Sequence, residues 1–299
     1  MVIGGGPAGL SASVYAARKR LNALLLSTDI GGQVNLTMGI ENYIGYQFIE
    51  GPELIAKFQE QVGHYPLEQK IGTKVALLEK NDDGFTATTE AGDKEQSKVA
   101  VLASGKRPRQ LGVPGEVEYT GKGVTYCAVC DGPIFSGQRV LVVGGGNSAL
   151  EAALDMVKIA EHVDMVSMTP LTGDAVLIEK LNEAKNLDIH LEHQVEKIEG
   201  ETFVNRVLVK DNDSGQTRQH DVTGVFIEIG LVPNAELVKD LLKLNETGEV
   251  PVNAACETEI SGLYAAGDVT SVPEKQIVVA AGEGAKAALQ AHRYWQRST

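Results

Sequence analysis

Only three of the 299 residues are cysteine, and only one is tryptophan. Three cysteines rule out a small disulfide-stapled scaffold, and the chain is long enough for two ordinary domains with well-buried cores. No apolar run approaches the ~20 residues that a membrane-spanning helix needs, so no membrane partner is expected. The start offers no secretory signal, because Met1 runs straight into Val2-Ile3 and then glycines, which favours a cytoplasmic setting. Positive charge is also short: 27 Lys and Arg stand against 40 Asp and Glu, a net charge of −13. Such a chain repels polyphosphate at long range, so nucleic acid is not an expected partner. The remaining balance, 43% hydrophobic and 22% charged residues, is that of a globular protein.

What the chain does have is glycine, 33 residues of it, and in clusters. Gly4-Gly5-Gly6-Pro7-Ala8-Gly9 is echoed by Gly144-Gly145-Gly146-Asn147-Ser148-Ala149. The two clusters stand too far apart for a solenoid repeat, so two related domains are expected. The first cluster leads into a helix-forming stretch, Leu10 to Arg20, and then the apolar run Ala23 to Leu26. The second follows Arg139 to Val143, a short apolar run suited to a buried parallel strand. A helix over Ser148 to Glu161 and a strand over Val163 to Ser167 come next.

Between the clusters, Leu54, Phe58 and Val62 predict an amphipathic helix over Glu53 to Val62. Thr73 to Leu78 and Phe85 to Thr89 read as a hairpin across Asn81-Asp82-Asp83-Gly84. Val99 to Ala103 and Gly262 to Ala266 read as strands ending on Ser104-Gly105 and Gly267-Asp268, and an Ala-rich helix is predicted over Gln276 to Trp295. Crossings between domains are expected at Leu111 to Glu116 and Gly230 to Asn234. The fold class is therefore α/β, with two Rossmann-like three-layer domains and the second inserted into the first. The expected division is 1–111 plus 243–299 against 112–242.

Each glycine cluster has a physical role. The first Gly permits a tight turn, the second lets backbone approach a pyrophosphate, and the third lets helix and strand pack closely. The N–H groups opening the helix then hold phosphate charge. One cluster alone is a weak signal; two, each between strand and helix, favour two bound dinucleotides. The remaining chemistry lies in Cys127-Ala128-Val129-Cys130. Two dinucleotides and a dithiol suggest a resident flavin, an exchanging nicotinamide and a third redox station. Half a zinc site is the competing reading, but the only other cysteine is Cys256 and the six histidines show no short ligand spacing beyond His190 and His193. No metal site is expected. Asp131 is read either as a proton donor or acceptor or as a turn residue in Asp131-Gly132-Pro133. Cys256 reads as a packed small hydrophobe, Lys106-Arg107-Pro108-Arg109 as a solvated loop, and Trp295 as an anchor for the last helix. Cys130 lies shortly before Gly144 and beyond the first crossing. The dithiol therefore belongs with the second domain, and serving both flavin and an outside substrate favours rotation between domains.

Gly4 to Gly9, Gly31-Gly32-Gln33, Glu41-Asn42-Tyr43, Cys127 to Gly132, Gly144 to Ala149, Gly267-Asp268 and Lys275-Gln276-Ile277 stand in an order that resembles the low-molecular-weight thioredoxin reductases. Gly123 to Cys127, Glu161-His162-Val163 and Ala281 to Ala287 are closer to the reductase core of the alkyl hydroperoxide reductase flavoprotein. The resemblance covers nearly the whole chain. It implies a homodimer with FAD held by Gly4, Gly6, Pro7, Ala8, Gly9, Gly31, Gly32, Gln33, Asn42, Ser104, Gly105, Gly267, Asp268, Lys275, Gln276 and Ile277. Asp268 would bond the ribityl chain and Gln276-Ile277 would approach the flavin ring. It makes Cys130 the thiol nearest the flavin, Cys127 the one that attacks a partner disulfide, and Asp131 the acid. Thiolate is the attacking form, so a lowered thiol pKa is required. Gly144, Gly146, Asn147, Ser148 and Ser167 would hold the nicotinamide nucleotide. That family's first strand has more residues before its first glycine than Met1 to Ile3 supply, which leaves open whether residues precede Met1. The hydroperoxide-reductase flavoprotein has an N-terminal thioredoxin-like region without a counterpart in this sequence, and the dithiol would then serve a separate thioredoxin or thioredoxin-like protein.

The sequence departs from the family at the nucleotide. The ribose-binding acid is expected about 20 residues beyond the glycines, which falls on Asp164, but that is the start of its strand and not its end. The end is Ser167-Met168-Thr169, where NADPH-using relatives carry an arginine pair and NADH-using relatives a glutamate. Without a cation for the 2′-phosphate, NADH is expected over NADPH. Two other readings stay open. One is an FAD-dependent dithiol oxidase using oxygen, with a vestigial nucleotide site. The other is a non-enzymatic redox-sensing module.

Overall fold

A computed structural model describes residues 1–37 and 39–298. Two five-stranded parallel sheets form its frame. The first runs Leu263–Ala265, Ala100–Leu102, Val2–Ile3, Leu24–Ser27, Glu68–Ile71, and the second Leu187–Leu191, His162–Ser167, Arg139–Val143, Gly224–Ile227, Val124–Thr125. All neighbours in both are parallel. Val140, Leu141 and Val142 are fully buried, as expected of a strand covered on both faces. Each sheet is interrupted at the same point in its order by a three-stranded antiparallel sheet. In one this is Val75–Asn81, Gly84–Thr89 and Lys94–Ser97; in the other it is His193–Gly200, Val204–Asp211 and Thr217–His220. The duplication announced by the glycines therefore extends to whole architectures.

The helices differ from the sequence reading mainly at their ends. The first spans Pro7–Arg18, opening on a proline whose fixed φ and missing N–H suit a helix N-terminus. The helix expected over Ser148 to Glu161 runs only over Asn147–Met156. Beyond it the chain tightens, and the Asn186 side-chain amide donates to the carbonyls of Val157 and Ala160 at 3.1 and 3.2 Å, taking over acceptors that another helical turn would have used. The Glu53 to Val62 helix extends to Gly51–Gly63. The hairpin closes more tightly than expected, with Asn81 paired to Gly84, and Gly84 takes a positive φ of 137° that favours glycine.

The last helix spans Ile277–Ser298 and packs on the first. A Cβ on Gly284 would stand 1.9 Å from the Ala8 carbonyl oxygen, so glycine permits that approach. Ala280, Ala287, Ala288 and Ala291 form the buried stripe that fixes this helix. Trp295, read from the sequence as its anchor, is 39% exposed and stacks on His292 of the same helix. Lys106–Pro108 and Leu231–Pro233 pair antiparallel as a ribbon linking the two halves. The basic run is thus no solvated loop. Lys106 is half-buried against Glu249 at 2.6 Å, and Arg107 reaches Asn234 and Glu236 at 2.6 and 2.7 Å. Among the described residues no helix is long and apolar enough to cross a membrane.

Candidate active site

The first glycine turn is built by close contacts. Gly4 has φ +113°, and a Cβ there would lie 2.2 Å from the Ala103 carbonyl oxygen. One on Gly9 would lie 1.8 Å from the Gly4 oxygen. Gly6, by contrast, faces open space at the N-cap of helix Pro7–Arg18, where backbone N–H groups present positive charge. The open space belongs to a cavity of about 1130 Å³. It is walled by Gly4, Gly6, Pro7, Ala8, Gly31, Gly32, Gln33, Ser104, Gly105, Gly267, Asp268, Lys275, Gln276 and Ile277. Gly9 stays beneath the turn. Asn42 joins indirectly, donating from Nδ2 to Gln276 Oε1 at 3.2 Å. A pyrophosphate-bearing dinucleotide fits this cradle on sterics and on the donors it presents.

Backbone around the cavity is fixed by buried partners. Ser104 Oγ donates to the Asn234 carbonyl at 2.6 Å, and Asn234 Nδ2 returns a bond to the Ser104 carbonyl at 2.8 Å. Gly267 N–H donates to Glu283 Oε2 at 2.8 Å. Burial pushes the Asp268 carboxyl above the usual range, although the charges of Lys275 and Lys106 oppose this. Lys275 lines the cavity, but its ammonium is turned to the Thr270 carbonyl at 2.6 Å and to Glu249 at 3.2 Å.

Cys127 and Cys130 open onto this same cavity. They form a disulfide with Cα atoms 5.3 Å apart, at the start of the short helix Ala128–Asp131. Cys127 Sγ accepts from the Cys130 N–H at 3.2 Å. Thr125 organises the turn: its Oγ1 accepts from the Cys127 N–H at 3.2 Å and donates to Asp131 Oδ2. Asp131 is only 1% exposed, at the junction of the short helix Ala128–Asp131 and the turn Gly132–Phe135. On the other side, Ala128 N–H donates to Glu228 Oε1 at 3.2 Å. Burial pushes the Glu228 carboxyl up to about 7; the Ala128 bond pulls the other way and Glu151 adds to the rise.

The second glycine turn borders a separate cavity of about 1020 Å³. Gly144, Gly146, Asn147, Ser148 and Ser167 all line it, together with Met168, Thr169, Arg109 and Glu228. The two turns match in detail. A Cβ on Gly145 would meet Ser167 Oγ at 2.4 Å, and one on Gly5 would meet Ser27 Oγ at 2.7 Å, the two pairs holding equivalent places in their halves. Asp164 is not among the residues lining this cavity; its oxygen meets His190 Nε2 at 2.9 Å and His220 Nδ1 at 3.1 Å.

Sequence reasoning missed three residues. Asp29 lines the first cavity and accepts from the Gly32 N–H at 2.9 Å. It lies just past strand Leu24–Ser27, so the strand-end rule applied to the first cluster would have found it. Thr125 and Glu228 carried no local signal, because each is placed by strand pairing distant in sequence. Cys256 is buried, and burial pushes its thiol up to about 11, in keeping with a packed small hydrophobe.

One glycine-turn cavity carries a redox dithiol in its wall and a second glycine turn borders a cavity of its own; residues 1–284 match the pyridine nucleotide-disulphide oxidoreductase family, to which the chain belongs. Members of that class use FAD and a pyridine nucleotide. Among curated proteins the chain is 41% identical to the F subunit of alkyl hydroperoxide reductase from Pseudomonas aeruginosa, over 304 residues covering 100% of this chain and 58% of that protein. It is also 41% identical to a protein named NADH dehydrogenase of Ferdinandcohnia aciditolerans, with the same two coverages. The chain thus spans 58% of the length of these relatives. Among solved structures it is similar to thioredoxin reductase of Streptococcus pyogenes MGAS5005, with TM-score 0.94, 37% identity, and coverage of 99% and 97% of the two chains. Against Lactococcus lactis thioredoxin reductase in its FR conformation the TM-score is 0.68 at 35% identity, with 99% and 98% coverage. The chain is thus a member of that family similar to both the thioredoxin reductases and the alkyl hydroperoxide reductase flavoproteins.

Proposed function

We propose that this protein transfers two electrons from NADH, through FAD and the Cys127–Cys130 pair, to the disulfide of a separate thioredoxin or thioredoxin-like protein. The net reaction converts NADH, one proton and a partner disulfide into NAD⁺ and a partner dithiol. The observation that carries it is that the Cys127–Cys130 disulfide opens onto the cavity bordered by the first glycine turn, while the second turn borders a cavity of its own. FAD, when bound, supplies a two-electron relay between nicotinamide and disulfide. Gly6 and the opening N–H groups of helix Pro7–Arg18 would hold its phosphates, and Asp29, Asp268 and Gln276 would offer polar atoms to the rest. Cys130 would be the sulfur on the flavin side. Cys127, as thiolate, attacks the partner disulfide, and Cys130 resolves the mixed disulfide. Asp131, held by Thr125, manages the proton of this dithiol.

NADH is favoured over NADPH because Ser167, Met168 and Thr169 offer no cation to a 2′-phosphate. The name of one relative, NADH dehydrogenase, supports the same choice. The separate domains are taken as 1–111 with the C-terminal segment, and 112 onward to the ribbon. Ala235, Leu237, Val238 and Leu242 pack with Ile3 and Leu26, which draws the second crossing toward Leu231–Pro233 and away from residue 242. Partner access requires the halves to rotate about that ribbon. Near-equal identity to two thioredoxin reductases with such different TM-scores supports a pivot of this kind. A cytoplasmic homodimer completes the proposal. A well-formed second cavity speaks against the oxygen-using dithiol oxidase with a vestigial nucleotide site.

The test is an anaerobic titration of the FAD-loaded protein with NADH and with NADPH, followed by flavin absorbance. Prompt bleaching by NADH at lower concentration than NADPH is expected. No bleaching by either nucleotide would remove this reading.

A further inference from the structure

Four of the six histidines, His162, His190, His193 and His220, belong to one corner of the second half. At its centre is Asp164, in the middle of strand His162–Ser167 and 4% exposed. One oxygen of Asp164 meets His190 Nε2 at 2.9 Å and His220 Nδ1 at 3.1 Å. His162 and Asp188 continue the array, 3.3 Å apart, and donor atoms of His162, Asp164 and Asp188 also lie within 4.8 Å of one another. His190 comes from the neighbouring parallel strand and His220 from the last strand of the antiparallel sheet.

We infer that Asp164, His190 and His220 form a binding site for a divalent transition cation, zinc by ligand class, which staples the antiparallel sheet His193–His220 to the parallel sheet beside it. The donor set is two imidazole nitrogens and one carboxylate oxygen, with all three atoms within 4.8 Å of one another. Zinc takes such donors at roughly 2.0–2.2 Å and leaves its fourth position to water. In a tetrahedron of those bond lengths the donors stand about 3.3 Å apart, so the Asp164–His distances need open by only a few tenths of an ångström. Calcium and magnesium call for six or more oxygen ligands, whereas imidazole suits zinc and its transition-metal neighbours. Both histidines are partly exposed, with side chains 25% and 13% accessible, which gives an ion a way in. Asp188 adds charge that offsets the cation's, and the chain's net charge of −13 favours cation approach. No sequence spacing announced the site, since its three ligands come from three separate strands.

The test uses the FAD-loaded, oxidised full chain, so that Cys127 and Cys130 are tied in their disulfide and do not compete for metal. Zinc is titrated calorimetrically into the unmutated protein and into His190→Gln, His220→Gln and the control His64→Gln. One zinc per chain is expected, with affinity falling at least 100-fold in either site variant and unchanged in the control. Equal binding in all four, or no binding at micromolar zinc, would overturn the inference and leave Asp164 as a buried carboxylate satisfied by two imidazoles. A readout free of mutation guards against misfolded variants. Zinc should protect His190 and His220, but not His64 and His292, from diethylpyrocarbonate; equal labelling at all four with and without zinc would also overturn it.

Discussion

Glu228 receives the backbone N–H of Ala128, the first residue of the dithiol helix, at 3.2 Å. A carboxyl from the end of one central strand thus touches the turn that carries the redox pair, and the same residue lines the second cavity. Burial pushes its pKa up to about 7 from an ordinary 4.5, so the folded protein favours the neutral acid. The stabilising contribution of that acid is fully present below about pH 4.5 and is lost as pH rises through about 7. Glu228→Gln keeps an acceptor for Ala128 and removes the titration. Urea unfolding of the flavin-loaded protein should show the variant gaining on the unmutated chain between pH 5 and pH 8, by up to about 3 kcal/mol. Parallel pH profiles for the two proteins would discard this role of Glu228.

The Thr125–Asp131 contact leads to a prediction about chemistry. Cys130→Ser should leave FAD bound and reducible by nucleotide while disulfide turnover disappears. Asp131→Asn keeps an oxygen for the Thr125 hydroxyl but cannot exchange a proton, so turnover should fall on the order of 100-fold. Stopped-flow absorbance separates the two half-reactions. Disulfide turnover retained in Cys130→Ser would remove the dithiol from the route, and slowed flavin reduction in Asp131→Asn would mean that Asp131 acts on the nucleotide side instead.

Ser167 borders the second cavity, against Gly145, in the position that Ser27 holds against Gly5 in the first. Ser167 is buried, so the place that Asp29 takes two residues beyond Ser27 falls on Thr169, which also lines the second cavity; Thr169→Glu would set a carboxylate there, where a ribose diol can use it and a 2′-phosphate cannot. The KM for NADH should drop several-fold and that for NADPH should rise. Steady-state kinetics with both nucleotides decides the matter; an unchanged NADH value would show that another residue reads the ribose.

The periodic and glycine-coded features of this fold were legible in the sequence. Gly4 to Gly9 and Gly144 to Ala149 marked their turns because only glycine tolerates the Ala103 and Glu228 carbonyls lying against Gly4 and Gly144. Cys127 and Cys130 were legible as a redox pair through spacing alone. Asp29 was within reach of the same strand-end counting that led to Ser167. Residues placed by long-range strand pairing were not legible. Thr125 stands beside Phe226, far along the chain, and no local pattern encodes that. Lys106 looked like part of a solvated basic loop because its partner, Glu249, lies 143 residues away. The end of helix Asn147–Met156 was hidden for a similar reason, since the Asn186 amide that takes the carbonyls beyond it arrives from another loop.

Glu249 is the structural counterpart of that hidden lysine, and it carries the last prediction. Its side chain is 13% exposed and lies 2.6 Å from Lys106 Nζ and 3.2 Å from Lys275 Nζ. Burial would raise its pKa, yet hydrogen bonds from Lys106, Asn245 and Thr247 and the charge of Lys275 bring it down to about 2. Its contribution is therefore present above about pH 4.5 and lost as pH falls toward 2. Glu249→Gln leaves two ammonium groups facing each other at the wall of the first cavity, and removing one partner of a buried pair costs about 3–5 kcal/mol. Denaturant unfolding at pH 7 should show a loss of that order, with the variant and the unmutated protein drawing together below about pH 4.5 and converging only as the pH reaches about 2. Because Lys106 and Lys275 both line the cavity, the variant should also release FAD faster, read as the rise of free-flavin fluorescence after dilution. A stability loss that persists undiminished at low pH would assign the role of Glu249 to packing and not to charge.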